Sequence, residues 1–81
     1  MFTVYILYSK SLDRYYVGST NDIDRRICEH NRKKGKYTDA GIPWVVAYTE
    51  QLETREEALK REMFIKSRKS KSFIINLIAS R

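Results

Sequence analysis

Two stretches of this sequence place charged or titratable side chains inside apolar stripes. Between residues 22 and 34, Ile23 and Ile27 recur at helical spacing. At roughly 100° per residue, His30 falls about 20° from Ile23, and Arg26 about 60° from Ile23 on the side away from Ile27, at the edge of the stripe. Arg25 points the opposite way. Arg26 and His30 thus lean toward one packing surface, one turn apart. Arg26 has two readings. It lays its stem over the core with its head in water, or it serves a site. A lone histidine on an apolar face is more often a satisfied core residue than a catalyst. Cys28 lies off the stripe, with nothing nearby to activate its thiol.

The second stretch is sharper. Ala58, Leu59, Met63 and Ile65 define an expected buried arc, with Glu62 near its middle and Lys66 also inside it. A carboxylate centred on the apolar stripe of a tiny protein is costly unless it is paired or ligates a cation. One reading is a Glu62–Lys66 pair at i,i+4 spacing, a pair normally found on an exposed face. The other is a metal ligand or acid–base group at the mouth of a cleft. Tyr5, Tyr8, Tyr15, Tyr16 and Tyr48 all fall on expected strands, which tyrosines favour for packing alone. Tyr5 and Tyr16, however, would lie on adjacent strands near the end where Gly18 leads toward Arg26. Hydroxyls, a guanidinium and a carboxylate can therefore converge.

The elements that must position them follow from pattern. Residues 2–8 are apolar, β-branched or aromatic without a break and read as a strand covered on both faces. Residues 14–18 make a second strand, joined to the first by a five-residue loop and ended by Gly18. Asn21 is the expected N-cap of a helix from about Asp22 to Lys34. A loop follows through Pro43, then a strand over residues 44–50. Thr54 to Glu57 reads as a capping box that opens a helix to about Lys69, and Ser70 starts a shorter one through Ala79. The order is β-β-α-β-α-α.

Length and composition bound the rest. The 81 residues suit one domain, residues 1–81. A single Cys makes no internal disulfide, and one Cys with one His builds no finger-type zinc site. No apolar run approaches the roughly 20 residues of a membrane helix, and no signal peptide is readable. Ten aromatic residues argue against disorder. A small, basic, cytoplasmic protein is expected. The formal charge of +6 suits a polyanionic partner and an ordinary solvated surface alike. It clusters at Arg32, Lys33, Lys34 and Lys36, and at Lys66, Arg68, Lys69 and Lys71, both at expected helix ends where cations also suit the dipole.

Together, Thr3-Val4-Tyr5, Tyr16-Val17-Gly18, Arg26, His30 and Glu62 resemble the GIY-YIG nuclease domain, over roughly residues 2 to 77. Thr3 stands for the first motif's Gly, and Val4 and Val17 for the Ile of the first and second motifs. The stretch from Glu57 to Glu62 with Ile65-Lys66 is similar to the small stand-alone bacterial members. The resemblance implies an α+β fold with a small three-stranded antiparallel sheet flanked by helices. It implies cleavage of DNA phosphodiester bonds with one divalent cation, Mg²⁺ or Mn²⁺, in settings such as repair or recombination. By matching position, Tyr5 and Tyr16 are the motif tyrosines, Arg26 the essential arginine, His30 the accompanying polar group and Glu62 the metal ligand.

The chemistry asks for these residue types. A guanidinium grips phosphate oxygens bidentately and stays charged. Mg²⁺ prefers oxygen ligands and keeps several waters, so one carboxylate plus a phosphate oxygen suffices. A tyrosine needs its pKa lowered from about 10 to act as a base, which a cation or Arg26 would do; His30 needs no such adjustment. Tyr5, Tyr16 and His30 all remain candidates. Lys33, Lys34, Lys36, Lys66, Arg68, Lys69 and Lys71 are the expected nucleic-acid contacts. The expected partner is DNA, duplex or branched, with RNA not excluded and with a protein partner supplying specificity. The rival reading is a catalytically weak nucleic-acid adaptor of the same fold.

Overall fold

The apolar N-terminal run becomes the middle strand of a three-stranded sheet. The structure is a computed structural model and describes residues 1–35 and 37–80, so Lys36 lies outside it. β1 (Phe2–Ser9) pairs antiparallel with β2 (Arg14–Thr20) on one side and β3 (Trp44–Leu52) on the other. Three α-helices, α1 (Ile23–His30), α2 (Arg55–Ser67) and α3 (Lys71–Ala79), complete the α+β fold in the expected order. A 3₁₀ turn, Tyr37–Gly41, precedes β3.

Strand alternation divides β1 between two cores. Val4 and Ile6 pack with Val17, Tyr48, and Ala58 and Ile65 of α2, backed by Phe73, Ile74 and Leu77 of α3. Tyr5 and Leu7 pack on the opposite face with Trp44, Tyr16, and Ile23 and Ile27 of α1. Both faces of the strand are covered, as its unbroken apolar pattern implies. Among the described residues, no helix is long and apolar enough to cross a membrane.

The element ends depart from expectation for identifiable reasons. β2 does not stop at Gly18. It pairs on to Thr3↔Thr20, and Gly18 sits mid-strand opposite Tyr5. Its backbone is not left-handed. What the position lacks is room, because a Cβ there would stand 2.6 Å from Cζ of Tyr5. β1 continues to Ser9, which shortens the hairpin loop to residues 10–13.

The N-cap of α1 is Asp22 rather than Asn21. The Asp22 carboxylate accepts from the Arg25 N–H at 3.1 Å, and its own N–H donates to Thr20 Oγ1. α1 ends at His30, a turn short of Lys34. There the Asn31 amide turns aside to bond both backbone groups of Trp44, at 2.6 and 3.0 Å. The Asp39 carboxylate collects the N–H groups of Lys34 and Gly35.

The capping box of Thr54 and Glu57 is formed, but the expected buried arc of α2 is narrower. Only Ala58 and Ile65 are buried; Leu59 is 42% and Met63 68% exposed. A sheet of three short strands covers one stripe of α2, two turns long, and leaves the flanking row uncovered.

Replacing Gly18 by Ala tests the close approach. Tyr5 is only 1% exposed, so its ring cannot swing into solvent. Gly18→Ala should lower unfolding free energy by about 1–3 kcal/mol, the usual cost of overpacking. An unchanged midpoint in urea unfolding would show that the ring gives way freely.

Candidate active site

Where β2 leaves the sheet, α1 and α2 stand on either side of its end and enclose a cleft of about 330 Å³. Tyr5, Tyr16, Arg26 and Glu62 all line it. These come from four separate elements. The register sets Tyr5 beside Gly18 and Leu7 beside Tyr16, so both tyrosines occupy the α1 face. With no side chain at Gly18, the Tyr5 hydroxyl passes over β2 toward the rim. Ile23 and Ile27 anchor α1 on the same face, and Arg26 follows them to the cleft.

Glu62 lies between Ala58 and Ile65 on the inward stripe of α2, its side chain 16% exposed. Both sequence readings of this residue meet in the structure. Its carboxylate lines the cleft, and it accepts from Lys66 Nζ at 2.6 Å on Oε2 and from Ser19 Oγ at 2.7 Å on Oε1. Lys66 is 52% exposed, outside the arc expected for it, because its stem carries the ammonium out to the rim. Arg26 is half-buried and reaches Glu29 at 3.7 Å.

His30 stands behind this group. Its Nε2 is 3.4 Å from the Tyr5 hydroxyl, and its ring meets the edge of Tyr16 with centroids 4.5 Å apart. A second hollow on that side is lined by Tyr16, Arg26, Glu29, His30, Lys34 and Thr38. Arg26 and Tyr16 form the wall shared by the two.

Electrostatics keep the pair neutral. Burial pushes the Tyr5 phenol up to about 12; Arg26 opposes the rise, and Tyr16, Glu62 and Glu29 add to it. The expectation that Arg26 lowers a motif tyrosine holds in sign, but desolvation outweighs it. Burial pulls His30 below the ordinary imidazole value, aided by Lys34 and Arg26 and opposed by Glu29.

The two basic clusters do not form one patch. Lys34 lines the second hollow, and Lys33 is exposed nearby. Lys66 and Lys69 border a third hollow along β2 and α3. Arg68 stacks over Phe64 and Phe73, at 5.7 and 5.5 Å from their centroids. Lys71 pairs with Asp13 at 2.6 Å.

Three residues at or behind the cleft escaped the sequence reading. Ser19 would have been found by extending the strand alternation past Gly18. Arg55 would have been found on the α2 wheel, where residues 55, 59 and 62 share a face. Asn31 carries no sequence signal for its hold on Trp44.

The Tyr5 shift has a measurable consequence. A phenol whose pKa is about 12 when folded and about 10 when unfolded favours folding fully below pH 10. That contribution, about 3 kcal/mol, is lost as pH rises from about 10 to 12. Denaturation followed across this window should show Tyr5→Phe losing less stability than the wild type. Parallel losses in both proteins would place the Tyr5 phenol at its ordinary value.

Comparison with known proteins agrees with this fold. The model of the GIY-YIG catalytic domain matches residues 1–76. A UPF0213 protein of Halobacterium salinarum is 43% identical over 53 residues, 64% of this chain and 69% of that protein. A UPF0213 protein of Streptococcus pneumoniae is 41% identical over 56 residues, 68% of this chain but only 57% of its own length. The solution NMR structure of a UPF0213 protein from Bacillus halodurans superposes with a TM-score of 0.63 at 35% identity, covering 100% of this chain and 86% of that one. The chain belongs to the GIY-YIG catalytic domain family, a family of nucleases.

Proposed function

We propose that this chain is a single-domain, divalent-metal-dependent endonuclease that hydrolyses DNA phosphodiester bonds, in the service of repair or recombination. The observation that carries the reading is the convergence of Tyr5, Tyr16, Arg26 and Glu62 on one cleft. Family membership supports the nuclease class; the substrate, the metal and the pathway are this reading's own.

The donor set fits a hard cation. Among the described residues no group of three His, Cys, Asp or Glu side chains forms a metal cage. A single, mostly buried carboxylate at a cleft wall suits Mg²⁺ or Mn²⁺, which keep waters and take phosphate oxygens as further ligands. Glu62 would hold the ion, with Ser19 orienting the carboxylate and Lys66 released to solvent. When bound, the cation supplies neutralisation of charge on the phosphate and the leaving oxygen.

The chain's own residues supply the rest. Arg26 grips a phosphate oxygen pair and stabilises the added negative charge. Tyr5 and Tyr16 direct hydroxyls at the attacking water. His30 does not line the cleft itself, so it acts through Tyr5. As water gives its proton to the Tyr5 oxygen, Tyr5 passes its own to His30 Nε2. A neutral imidazole at neutral pH is ready to accept it.

One observation favours the rival. Lys66 already neutralises Glu62 at 2.6 Å, as an adaptor that binds nucleic acid without cutting it would require. Incubating labelled single-stranded, duplex and branched DNA with and without Mg²⁺ or Mn²⁺ separates the two. The nuclease reading expects metal-dependent scission, and binding without scission under every metal condition would leave the adaptor.

Two substitutions refine the test. Glu62→Gln should abolish cleavage and any Mn²⁺-induced rise in melting temperature, since that rise requires binding to the folded state. Its stability should change by no more than about 1 kcal/mol, because Lys66 can turn to water. A sharp fall in stability with the metal shift retained would make Glu62 a structural partner of Lys66 instead. Arg26→Lys keeps the charge but not the planar fork, and should cost about 10²-fold or more in rate. Arg25→Lys, on the far side of α1, should cost little; equal losses would break the facial argument.

A further inference from the structure

We propose that Arg55 binds a second phosphate of the substrate strand, flanking the one held at Arg26 and Glu62. The inference rests on the nuclease reading and adds a subsite to it. Arg55 opens α2, and it lines the same cleft as Glu62. Residues 55, 59 and 62 share one helical face, so α2 offers the cleft a guanidinium, an apolar side chain and a carboxylate in sequence. At 1.5 Å per residue, Arg55 stands about 10 Å along the helix from Glu62. Leu59, half-exposed between them, and Phe2, which lines the same cleft, give it apolar surface. Arg26 and Arg55, which line the same cleft, give it two anion-binding groups beside apolar surface, which suits a phosphate–sugar–phosphate unit.

Nothing structural accounts for the placement. Among the described residues the Arg55 side chain has no ion pair, hydrogen bond or ring contact. Most of the other arginines are engaged: Arg14 with Tyr37, Arg26 with Glu29, Arg61 with Glu50 and Arg68 with Phe64. Arg25 and Arg32 share the lack of a partner but do not line the cleft. The first turn of a helix favours anions, so a cation there works against the macrodipole. The cap is already complete through Thr54 and Glu57, with no role for Arg55. An unpaired guanidinium, set against the dipole and lining a cleft, is placed for an anion that arrives from outside.

The test is binding of a fluorescein-labelled oligonucleotide, followed by anisotropy in EDTA across a range of NaCl concentrations. Arg55→Gln should lower the slope of log affinity against log salt by about 0.7–0.9, the value of one phosphate contact. Affinity at about 0.1 M salt should fall severalfold. Arg55→Lys should keep the slope. Arg25→Gln makes the same change in net charge away from the cleft, and should leave slope and affinity near wild type. Melting curves should show Arg55→Gln folding at least as well as wild type. If the wild type binds and Arg55→Gln keeps its full slope, the subsite is overturned and the nuclease reading stands. If Arg25→Gln weakens binding as much as Arg55→Gln, net charge explains the effect and the subsite is again overturned. If the wild type binds no oligonucleotide, the subsite is overturned, and the nuclease reading is decided separately by metal-dependent scission.

Discussion

The Tyr5 ring pressed against the bare backbone of Gly18 is the contact on which the rest of the cleft depends. β1 is the middle strand, and Thr3 to Leu7 are buried on both of its faces, so each of their side chains must find space inside. A tyrosine there has a large apolar body and a hydroxyl that has to reach a polar neighbour. The empty position across the strand pair solves both demands. The ring fills the place a side chain would take, and the hydroxyl is carried past β2 to the one edge where Arg26 and His30 approach. The Tyr-Val-Gly sequence thus couples packing to chemistry within three residues. Tyr16 joins the α1 face, Val17 the opposite core, and Gly18 yields its space to the neighbouring strand.

A protein this small has little interior to give to charge, and its solution is to place charge at a rim. Glu62 belongs to the inward stripe of α2, yet the sheet ends beneath it. Ser19, alternate to Gly18, lies on the α2 face of β2 and meets one carboxylate oxygen. Lys66 meets the other from a half-exposed position. The desolvation cost of a buried carboxylate is therefore shared between a neutral donor and a mobile cation. A fixed internal partner such as an interior arginine would hold the carboxylate permanently. An ammonium on a flexible stem at the surface can exchange with another cation at small cost.

Much of this arrangement was legible in the sequence, and the misses share a cause. The element order, the capping box, the doubly covered strand and the inward placing of Glu62 follow from local periodicity. What local periodicity cannot supply is the reason a residue is small or polar. Gly18 reads as a strand terminator because glycines end elements more often than they make room for a ring on the next strand. Asn31 reads as one more polar residue at a helix end, whereas it bonds the backbone of Trp44 and fixes where α1 stops. Leu59 and Met63 read as core because hydropathy records no limit on the width of the sheet. The basic clusters read as two patches because sequence neighbours are not surface neighbours. Arg68 and Lys71, three residues apart, turn to aromatic rings and to Asp13 respectively.

Burial also keeps both titratable partners, Tyr5 and His30, neutral. Desolvation disfavours whichever form is charged, so it raises the acid and lowers the base. For Tyr5 this favours the phenol, and for His30 the imidazole. Arg26 acts unequally on the two, opposing the rise at Tyr5 and reinforcing the fall at His30. With both groups neutral, the contact lets the phenol donate to Nε2 when the ring's own proton sits on Nδ1, the tautomer that the proposed relay uses. A tyrosine so deeply protonated is a poor base alone. In the proposed reaction, coupled to a neutral histidine 3.4 Å behind it, it would not need to ionise, because it would receive one proton as it released another. The same low dielectric that makes Tyr5 a weak acid therefore keeps the Tyr5–His30 pair neutral, which the proposed relay requires. In that proposal Arg26, which lines both the cleft and the hollow around His30, would be the charge that ties phosphate binding to the relay.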